Sequence, residues 1–461
     1  MKRVLIRSMK DPFKIVRAGA AIERNIFGNN AGNLIFSQAS HKTLESSGTD
    51  VVANGFRADP SEAGRINEEY DAFVVPLANA FRFSFTRELN KLSSLIEKLT
   101  IPVVVLGVGA QSDLDYDFEK MARIDTPVKR FVRAVLERSA TIGVRGEFTE
   151  KYLNRLGFTD VDVIGCPSMF MYGDQLHVTK KVDGLTEGSA VAVNASRSAL
   201  KTGDIGGIVT ANFKRYPNMR YFAQETKDLS LLYWGDSSEV NGKRNRMPLH
   251  RTHPLFRENK VRVYLDPATW IDDLRSYDFA FGTRIHGNIA ALLAGTPGFV
   301  LCHDSRTLEL CRYFDIPHRP IRDLDSHTDA AELYAEADYT AMHEGHAERF
   351  ARYTSFLDKN GLDHVHRPGE DGGKAFEERV RSTAYPPGVD AWTSAEEGVS
   401  ARIGWLKQHQ AGTDAQLTAL TKQVRALEKA VDKQVKAGGF LRPHRIRRLG
   451  GRVLRKTGLR R

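Results

Sequence analysis

A short stretch in the second half of the chain combines an arginine, a histidine and glycines at a spacing that suits anion chemistry. It runs from Ser276 to Cys302, SYDFAFGTRIHGNIAALLAGTPGFVLC. A strand that ends at Gly282 and a helix whose first turn begins near His286 and Gly287 would present free N–H groups and a positive dipole end to an anion. Arg284 matches a carboxylate or phosphate in two-point geometry, and histidine exchanges protons near neutral pH. The stretch predicts an anion site with acid–base chemistry; the alternative is an ordinary strand-to-helix turn that carries both residues by chance.

Other polar residues stand near predicted turns and strand ends, where open α/β sheets bind ligands. The candidates for a ligand cleft are Asn30, Asn33, Gln111, Asn194, Asp304 and Ser305. Asn30 and Asn33 lie in a glycine turn, and asparagine and glycine are also common in turns without any ligand. Asp304, Ser305 and the adjacent Arg306 follow a strand and are candidates for contact with a ligand, with a surface loop as the alternative.

The secondary-structure elements that must position these residues follow the sequence pattern of an α/β fold. Short apolar runs bounded by glycine or proline alternate with amphipathic stretches, as in βα units around a parallel sheet. The clearest predicted strands are 102–106, 140–144, 190–193, 260–265, 277–281 and 298–302, and the clearest helices are 147–156, 288–294 and much of 330–362. Tyr353, Phe356 and Leu357 are the expected core contacts of the last helical region.

The same pattern predicts the division into domains. We expect a first α/β domain over residues 1–180 and a second over 181–365, with the boundary in the polar segment 175–188. A polar, turn-rich linker would fill 366–412. Leu417, Leu420, Val424, Leu427 and Val431 are spaced by 3, 4, 3 and 4, which predicts a short coiled coil or a single amphipathic helix over 413–437. Residues 438–461 form a basic tail.

The charge of the chain is concentrated in that tail. Lys and Arg total 67 against 57 Asp and Glu, a net charge of +10. The tail holds nine of these bases and no acid, so 58 bases face 57 acids in the rest of the chain. The body is nearly neutral, and we do not expect a nucleic-acid partner. The tail, with its interleaved Leu, Ile and Val, predicts adsorption to an anionic membrane surface; an anionic polymer, or disorder without a partner, is the alternative.

Several classes of protein are excluded by the sequence. The longest uncharged stretch, 287–302, is short and interrupted by Gly295 and Pro297, so no transmembrane helix is expected. Charged residues occupy the place of a signal peptide's apolar core. Cys166, Cys302 and Cys311 form no CxxC pair, which fits a reducing cytosol and neither a disulfide framework nor a zinc site. We expect a cytoplasmic protein, peripheral on the inner face of the membrane through its tail, with no bound metal or cofactor.

The turn from Gly282 to Gly287 resembles the hallmark turn of the polysaccharide pyruvyl transferases. The family pattern is a strand, a Ser/Gly-x-Arg-φ-His-Gly turn, a helix of small residues and Gly-x-Pro before the next strand. Here it reads Gly282-Thr-Arg-Ile-His-Gly287, NIAALLA and Gly295-Thr-Pro297. Weaker similarities extend over roughly residues 20–362: Gly28-Asn-Asn-Ala-Gly-Asn33, Leu106-Gly-Val-Gly-Ala-Gln111, Val144-Arg-Gly-Glu147 and Gly165-Cys-Pro167.

The resemblance implies an architecture, two substrates and roles for a few residues. It implies two Rossmann-like domains arranged as in glycosyltransferases of type B, with the site between them. It implies phosphoenolpyruvate as co-substrate and a hydroxyl pair of a saccharide, or of its lipid-linked precursor, as acceptor, giving a pyruvate ketal. Arg284 and His286 would bind the donor and act in catalysis, with Gly287, Asn288 and Arg145 as further donor contacts. The family often has an acid where Asn33 stands, which argues against a base role for Asn33.

Two other functions remain open from the sequence. A nucleotide-sugar glycosyltransferase of the same architecture would use Arg284 and the helix N-terminus to hold a diphosphate. A noncatalytic assembly factor at the membrane would use the coiled coil for homo-oligomerisation and the tail for attachment.

Overall fold

Two parallel sheets, each formed by strands that alternate with helices, build most of the molecule. The structure is a computed structural model and describes residues 1–235, 246–391 and 396–436. Met1–Trp392 form one compact unit and Thr393–Arg461 a second. The predicted α/β class with two Rossmann-like halves is confirmed within the first unit.

The first half contains the smaller sheet. Its strands are β1 (Lys2–Ile6), β2 (Thr49–Ala53), β3 (Ala72–Pro76) and β4 (Val103–Leu106), all parallel in the order β2-β1-β3-β4, followed by the parallel pair β5 (Ile142–Val144) and β6 (Val161–Val163). A single parallel bridge between Val108 and Val144 continues the pairing towards β5. Every residue of β3 and β4 is buried, as expected for parallel strands covered on both faces.

The helices of this half lie between the strands. They are α1 (Ala18–Arg24), α2 (Gly32–Leu44), α3 (Ala63–Glu69), α4 (Thr86–Ile96), α5 (Asp125–Leu136) and α6 (Glu147–Arg155), with 3-10 turns at Pro60–Glu62, Phe83–Phe85, Glu119–Ile124 and Pro167–Phe170. α4 and α5 each bury one apolar stripe, so their amphipathic sequences fix which face meets the sheet.

The second half contains a seven-stranded sheet. Its strands are β7 (Val191–Asn194), β8 (Arg220–Phe222), β9 (Val261–Val263), β10 (Phe279–Gly282), β11 (Gly298–Cys302), β12 (His318–Pro320) and β13 (Val389–Asp390), in the order β12-β11-β10-β7-β8-β9-β13. Only β13 is antiparallel, at the edge beside β9. The first six strands follow the doubly wound order of dinucleotide-binding sheets.

Helices connect the strands of the second half, and the last of these helices leads the chain back to the first half. They are α7 (Ile205–Arg215), α8 (Thr226–Trp234), α9 (Pro254–Arg257), α10 (Pro267–Leu274), α11 (Ile285–Leu293), α12 (Ser305–Phe314), α13 (Ala330–Glu336) and α14 (Thr340–Lys359), with 3-10 turns at Arg197–Lys201 and Ile321–Asp323. On α14, Tyr353, Phe356 and Leu357 are buried, as predicted.

The chain does not leave the second half at residue 365 but closes back on the first half earlier. The side-chain oxygen of Asn360 accepts hydrogen bonds from the backbone N–H groups of Ala140 and Thr141 at 3.1 and 3.2 Å. A side chain on Gly143 would meet the ring of Phe356 at 2.9 Å. The end of α14 therefore packs on the first half, and the predicted boundaries at 180 and 365 do not describe this crossing.

The predicted linker 366–412 is wrong as a description of structure, because most of it folds into regular elements. It contains α15 (Lys374–Ser382), β13 and the first part of α16 (Glu396–Lys436). Phe376 is buried against Phe13, with ring centroids 4.8 Å apart, and Arg262 binds Asp390 at 2.7 Å. One buried aromatic residue, Phe376, anchors α15. Because most of the other residues of this helix are polar, its sequence gives little apolar signal.

The second unit consists of one helix in the described residues. α16 is 41 residues long and begins well before the predicted start at 413. The basic tail lies outside the described residues.

Candidate functional site

A cleft of about 960 Å³ is lined by residues from both halves of the first unit. In the first sheet the strand order reverses between β1 and β3, and in the second between β7 and β10. Residues that follow all four strands line the cleft, at the positions where open α/β sheets bind ligands. The topology therefore brings the two switch points to one cavity.

The turn between β10 and α11 is held by two buried asparagines. Asn194 accepts a hydrogen bond from the backbone N–H of Arg284 at 2.8 Å, and the side-chain amide of Asn288 donates to the carbonyl oxygens of Gly282 and Arg284 at 3.1 Å each. Gly282 has φ of 148°, and a side chain there would lie 1.8 Å from the Asn194 carbonyl oxygen. Neither asparagine lines the cleft, so the structure places both behind the turn as supports.

Gly287 has a steric role in the same turn. A side chain at this position would lie 2.4 Å from the amide nitrogen of Gln224 and 2.8 Å from that of Asn194. Gly287 does not line the cleft, whereas Gln224 does, and both polar atoms of its buried amide lack a hydrogen-bond partner among the residues that the structure describes. The glycine thus allows Gln224 to reach the start of α11.

Arg284 lines the cleft, but its guanidinium already has partners. It donates through Nε to the carbonyl oxygen of Ala195 at 3.2 Å and forms an ion pair with Glu225. Arg197 approaches the same carboxylate at 3.4 Å. A bound anion would have to share Arg284 with Glu225.

His286 lies at the first turn of α11 and is almost fully buried. Its Nε2 is 3.6 Å from the Cys166 sulfur, and a side chain on Gly32 would meet its Cβ at 2.6 Å. Burial, followed by the positive charges of Arg145 and Arg306, lowers the pKa of His286 to about 3. The imidazole is therefore neutral at pH 7 in the protein without a bound anion.

Arg145 is the most unusual charged group of the cleft. It is 1% exposed, yet its Nε and Nη2 have no hydrogen-bond partner in the described part of the chain. Burial is the largest influence on its pKa and lowers it. A buried cation with free N–H groups is costly unless an anion completes it.

The predicted residues of the first half divide into two groups. Asn30, Asn33 and Gln111 line the cleft. The side chain of Asn33 donates to the Phe27 carbonyl oxygen at 2.8 Å, and that of Asn30 accepts from the N–H of Gly32 at 3.0 Å, so both also shape their own turn. Gln111 donates to Asp304 at 3.3 Å across the two halves.

Asp304 and Ser305 are near the cleft but do not line it. Asp304 caps α12 through the N–H of Thr307 at 3.1 Å and binds Arg306 at 2.9 Å. Burial would raise the pKa of Asp304, but Arg306, His303 and the hydrogen bonds lower it below its usual range. Ser305 Oγ accepts from the N–H of Ser112 at 2.8 Å. These residues join the halves and are not exposed to a ligand.

The next turn of α12 carries a buried acid that sequence reasoning did not single out. Glu309 accepts hydrogen bonds from the N–H and hydroxyl of Thr149 at 3.1 and 3.0 Å. Burial raises its pKa to about 8, although Arg145 and the Thr149 bonds oppose this. Glu309 is therefore mostly protonated at pH 7 and does little to neutralise Arg145, so the acid whose charge acts on Arg145 is the more distant Asp304.

Further cleft residues were missed because nothing in the sequence around them marks a motif. Arg7, Asn79, Arg82, Ser196, Ser198 and His303 all line the cleft, as does Arg306, which was a candidate from the sequence. His303 Nε2 is 3.2 Å from Ser198 Oγ, which is 2.7 Å from Ser196 Oγ. Their shared signal is position: most follow a strand of one of the two sheets.

The structure shows no group of three or more His, Cys, Asp or Glu side chains able to hold a metal ion in the residues it describes. All three cysteines are free and buried.

Two parallel α/β halves whose switch points meet at one arginine-rich cleft define a protein with two Rossmann-like halves. Residues 30–305 match the family model described as polysaccharide pyruvyl transferase. The chain belongs to the polysaccharide pyruvyl transferase family.

The solved structures to which the chain is similar are distant. UDP-GlcNAc 2-epimerase of Methanocaldococcus jannaschii, in complex with UDP-GlcNAc and UDP, is 11% identical with a TM-score of 0.41 over 78% of this chain and 99% of that chain. Anabaena HepE, in complex with UDP and glucose, is 12% identical with a TM-score of 0.38 over 83% and 100%. A functionally uncharacterised protein of Klebsiella pneumoniae is 12% identical with a TM-score of 0.34 over 68% and 88%. No curated protein matches the chain.

Proposed function

We propose that the cleft transfers a pyruvyl group from phosphoenolpyruvate to two hydroxyls of a surface saccharide or its lipid-linked precursor, forming a pyruvate ketal. The observation that carries this proposal is the buried Arg145, whose Nε and Nη2 lack a partner in the described residues. Membership of the family supports a pyruvyl transferase in general, and the donor and the ketal are our inference.

The donor would bind with an anionic end at Arg145. Phosphoenolpyruvate carries a carboxylate and a phosphate, and a bidentate contact with a desolvated guanidinium is among the strong hydrogen bonds of proteins. Arg306 lies at the same side of the cleft, since both arginines lower the pKa of His286. Arg284 would complete the donor site while it shares Glu225.

His286 is the proposed proton donor to the methylene carbon of the donor. Anion binding would neutralise Arg145 and Arg306, two of the influences that depress the pKa of His286. The imidazole could then gain a proton together with the donor, and a positioned acid of this kind contributes about 10²–10⁴-fold in rate. The expected order is donor binding, protonation of His286 and then chemistry.

The proposed reaction balances without a cofactor. His286 protonates the methylene carbon, and the adjacent carbon becomes an oxocarbenium ion that the first hydroxyl attacks; the proton of that hydroxyl returns to His286. Loss of phosphate regenerates an oxocarbenium ion, which the second hydroxyl attacks to close the ring. Its proton leaves with the phosphate as hydrogen phosphate. Arg145 and the N-terminus of α11 would stabilise the departing charge.

The test is release of phosphate from phosphoenolpyruvate by the full chain with candidate glycans, together with the mass gain of the glycan. His286→Ala should abolish both, while His327→Ala, at an exposed histidine that does not line the cleft, should leave both unchanged. Consumption of a sugar nucleotide without phosphate release would instead favour a glycosyltransferase. Unchanged glycan modification in cells that carry His286→Ala would favour the assembly factor.

Where in the cell the protein acts is a separate proposal. Within the described residues no helix is both long and apolar enough to cross a membrane. We propose that the protein works at the cytoplasmic face, where the basic tail would bring it to lipid-linked acceptors.

A further inference from the structure

Two arginines at the first switch point are not used by the pyruvyl-transfer chemistry above. Arg7 follows β1 and Arg82 follows β3, the two strands between which the order of the first sheet reverses. Both side chains line the cleft. An open α/β sheet binds its ligand at such a point, so each half of this protein offers a ligand position of its own.

Neither arginine has a carboxylate within 4.0 Å among the described residues. The Nε of each is buried and lacks a hydrogen-bond partner there. Burial is the main influence that lowers the pKa of Arg7, to about 10, and Glu88 only partly opposes it. Burial, and then Arg306, also lower the pKa of Arg82. Both cations would gain from a bound anion, as Arg145 would.

Two aromatic rings hold these guanidinium groups in place. The Arg7 guanidinium lies 4.6 Å from the ring centroid of Phe56 and 5.7 Å from that of Phe85, and the Arg82 guanidinium lies 5.8 Å from Phe85. An aromatic ring occupies the flat face of a guanidinium and leaves its N–H edge for a planar or tetrahedral anion. Both guanidinium groups thus lie beside the same ring, that of Phe85.

Asn79 lies between Arg82 of this pair and Arg306 of the donor side. When the side-chain amide of Asn79 is oriented with its oxygen toward the two arginines, that oxygen accepts one hydrogen bond from Arg82 and one from Arg306, each at 2.7 Å. The charges that act on His286 are those of Arg145 and Arg306. Arg82 is the member of the pair next to the donor side, since the charge of Arg306 acts on it too, whereas the charge that acts on Arg7 is that of Glu88. The cavity of about 960 Å³ is at the upper end of the range of about 300–1,000 Å³ for pockets that hold a drug-sized ligand. There is room for a second substrate beside a donor as small as phosphoenolpyruvate.

We propose that Arg7 and Arg82, framed by Phe56 and Phe85, form a second anion subsite that binds a phosphate or diphosphate group carried by the acceptor saccharide. This inference rests on the proposed function, since it assigns the Arg145 side to the donor. The acceptor is then a saccharide phosphate ester, and either a prenyl or a nucleoside moiety can carry that group.

Calorimetric titration of the full chain tests the subsite with defined probes. Inorganic pyrophosphate titrated into protein saturated with phosphoenolpyruvate should bind at one equivalent. Arg7→Gln or Arg82→Gln should weaken pyrophosphate binding at least ten-fold and change the affinity for phosphoenolpyruvate less than two-fold, which also shows that the variant is folded. Arg145→Gln should have the opposite pattern. Arg123→Gln is the matched control, because Arg123 also lies over a phenylalanine, 4.5 Å from Phe83, but is outside the cleft.

Competition between the two probes for one site would overturn the inference, as would equal losses of both affinities in Arg7→Gln. Failure of the wild type to bind phosphoenolpyruvate would instead overturn the proposed function, and pyrophosphate binding that depends on Arg7 would still support the subsite. Farnesyl diphosphate and UDP then distinguish the sources. Tighter binding of farnesyl diphosphate assigns the phosphate to a prenyl-linked acceptor, and tighter binding of UDP assigns it to a nucleotide-linked acceptor. If neither affinity depended on Arg7, that result would count against the subsite.

Discussion

The side-chain oxygen of Asn194, the last residue of β7, accepts a hydrogen bond from the backbone N–H of Arg284, the residue before α11, at 2.8 Å. This bond joins β7 to the turn after β10, and the second sheet reverses its order between these two strands. It fixes the start of α11 and with it the positions of Arg284 and His286. Asn194 is therefore a positioning residue, although its place at a strand end also suggested contact with a ligand.

Asn194→Ala should destabilise the protein and lower its turnover together. The substitution leaves the Arg284 N–H buried without a partner, at a cost of about 1–3 kcal/mol in the free energy of unfolding. Urea denaturation measures this loss, and phosphate release measures turnover. Asn218→Ala is the control, since the exposed Asn218 also donates one hydrogen bond, to the Gly188 carbonyl oxygen at 2.9 Å. A variant with full stability and full turnover would contradict the role of Asn194.

Arg145→Met should raise stability and abolish donor binding. The guanidinium is buried with two nitrogens lacking partners in the described residues, and an apolar side chain of similar length removes that penalty. We expect a gain of about 1 kcal/mol or more in the free energy of unfolding, with no heat of phosphoenolpyruvate binding in calorimetry. Loss of stability in this variant would mean that Arg145 is already compensated in the free protein.

The stability of the protein should fall as the pH rises from 6.5 to 8 because of Glu309. Its pKa is raised to about 8, so the folded state keeps a proton that the unfolded state has released. Unfolding releases that proton, and the free energy of unfolding therefore falls with pH in this window, by about 1–2 kcal/mol. The histidines with lowered pKa values, His286 among them, change the free energy of unfolding mainly below pH 6.5. Lys10, with a pKa of about 8, changes it mainly above this window.

Glu309→Gln isolates this effect. The amide can keep the bonds from Thr149 but cannot ionise, so urea denaturation at pH 6.5, 7.2 and 8 should show a flatter dependence than in the wild type. Parallel curves for the two proteins would show that Glu309 does not keep its proton in the folded state.

α16 should form a parallel two-stranded coiled coil with a second copy. Ile403 and Leu406 fall in the same heptad register as the predicted seam, from which Gln410 and Thr413 separate them, and are 46% and 47% exposed. Leu417, Val424 and Val431 are exposed as well. β-branched residues at the first apolar position and leucine at the second favour parallel pairs. Sedimentation should give a dimer for the wild type and a monomer for Leu420→Lys, with Ala419→Lys, off the seam, as the dimeric control. A monomeric wild type would exclude the coiled coil.

Truncation after Gly438 should release the protein from anionic membranes. The nine basic residues removed contribute about 1 kcal/mol each near such a surface. Co-sedimentation with phosphatidylglycerol vesicles should be lost, and turnover of a soluble acceptor should be nearly intact. High salt should detach the full chain in the same way. Continued sedimentation of the truncated chain would refute adsorption by the tail.

The sequence alone determined the local elements and the hallmark turn of this protein. β11 has the bounds that were predicted, and the α/β class and the family are confirmed, because apolar periodicity and glycine or proline boundaries act over a few residues. Arg145, His286, Asn30, Asn33 and Gln111 were selected and do line one cleft. The folding of 366–412 was missed, since one buried aromatic residue such as Phe376 leaves little apolar signal.

The tertiary structure decided which polar residues face the cleft and which support it. Asn194 and Asn288 lie behind the turn, and Asp304 and Ser305 join the halves, whereas Arg7 and Arg82 enter from the first sheet. Strand order brings residues separated by hundreds of positions to one edge, and that order is set by long-range packing. The protonation of His286 and Glu309 was decided there too, because burial and neighbouring charges, which no local sequence contains, set their pKa values.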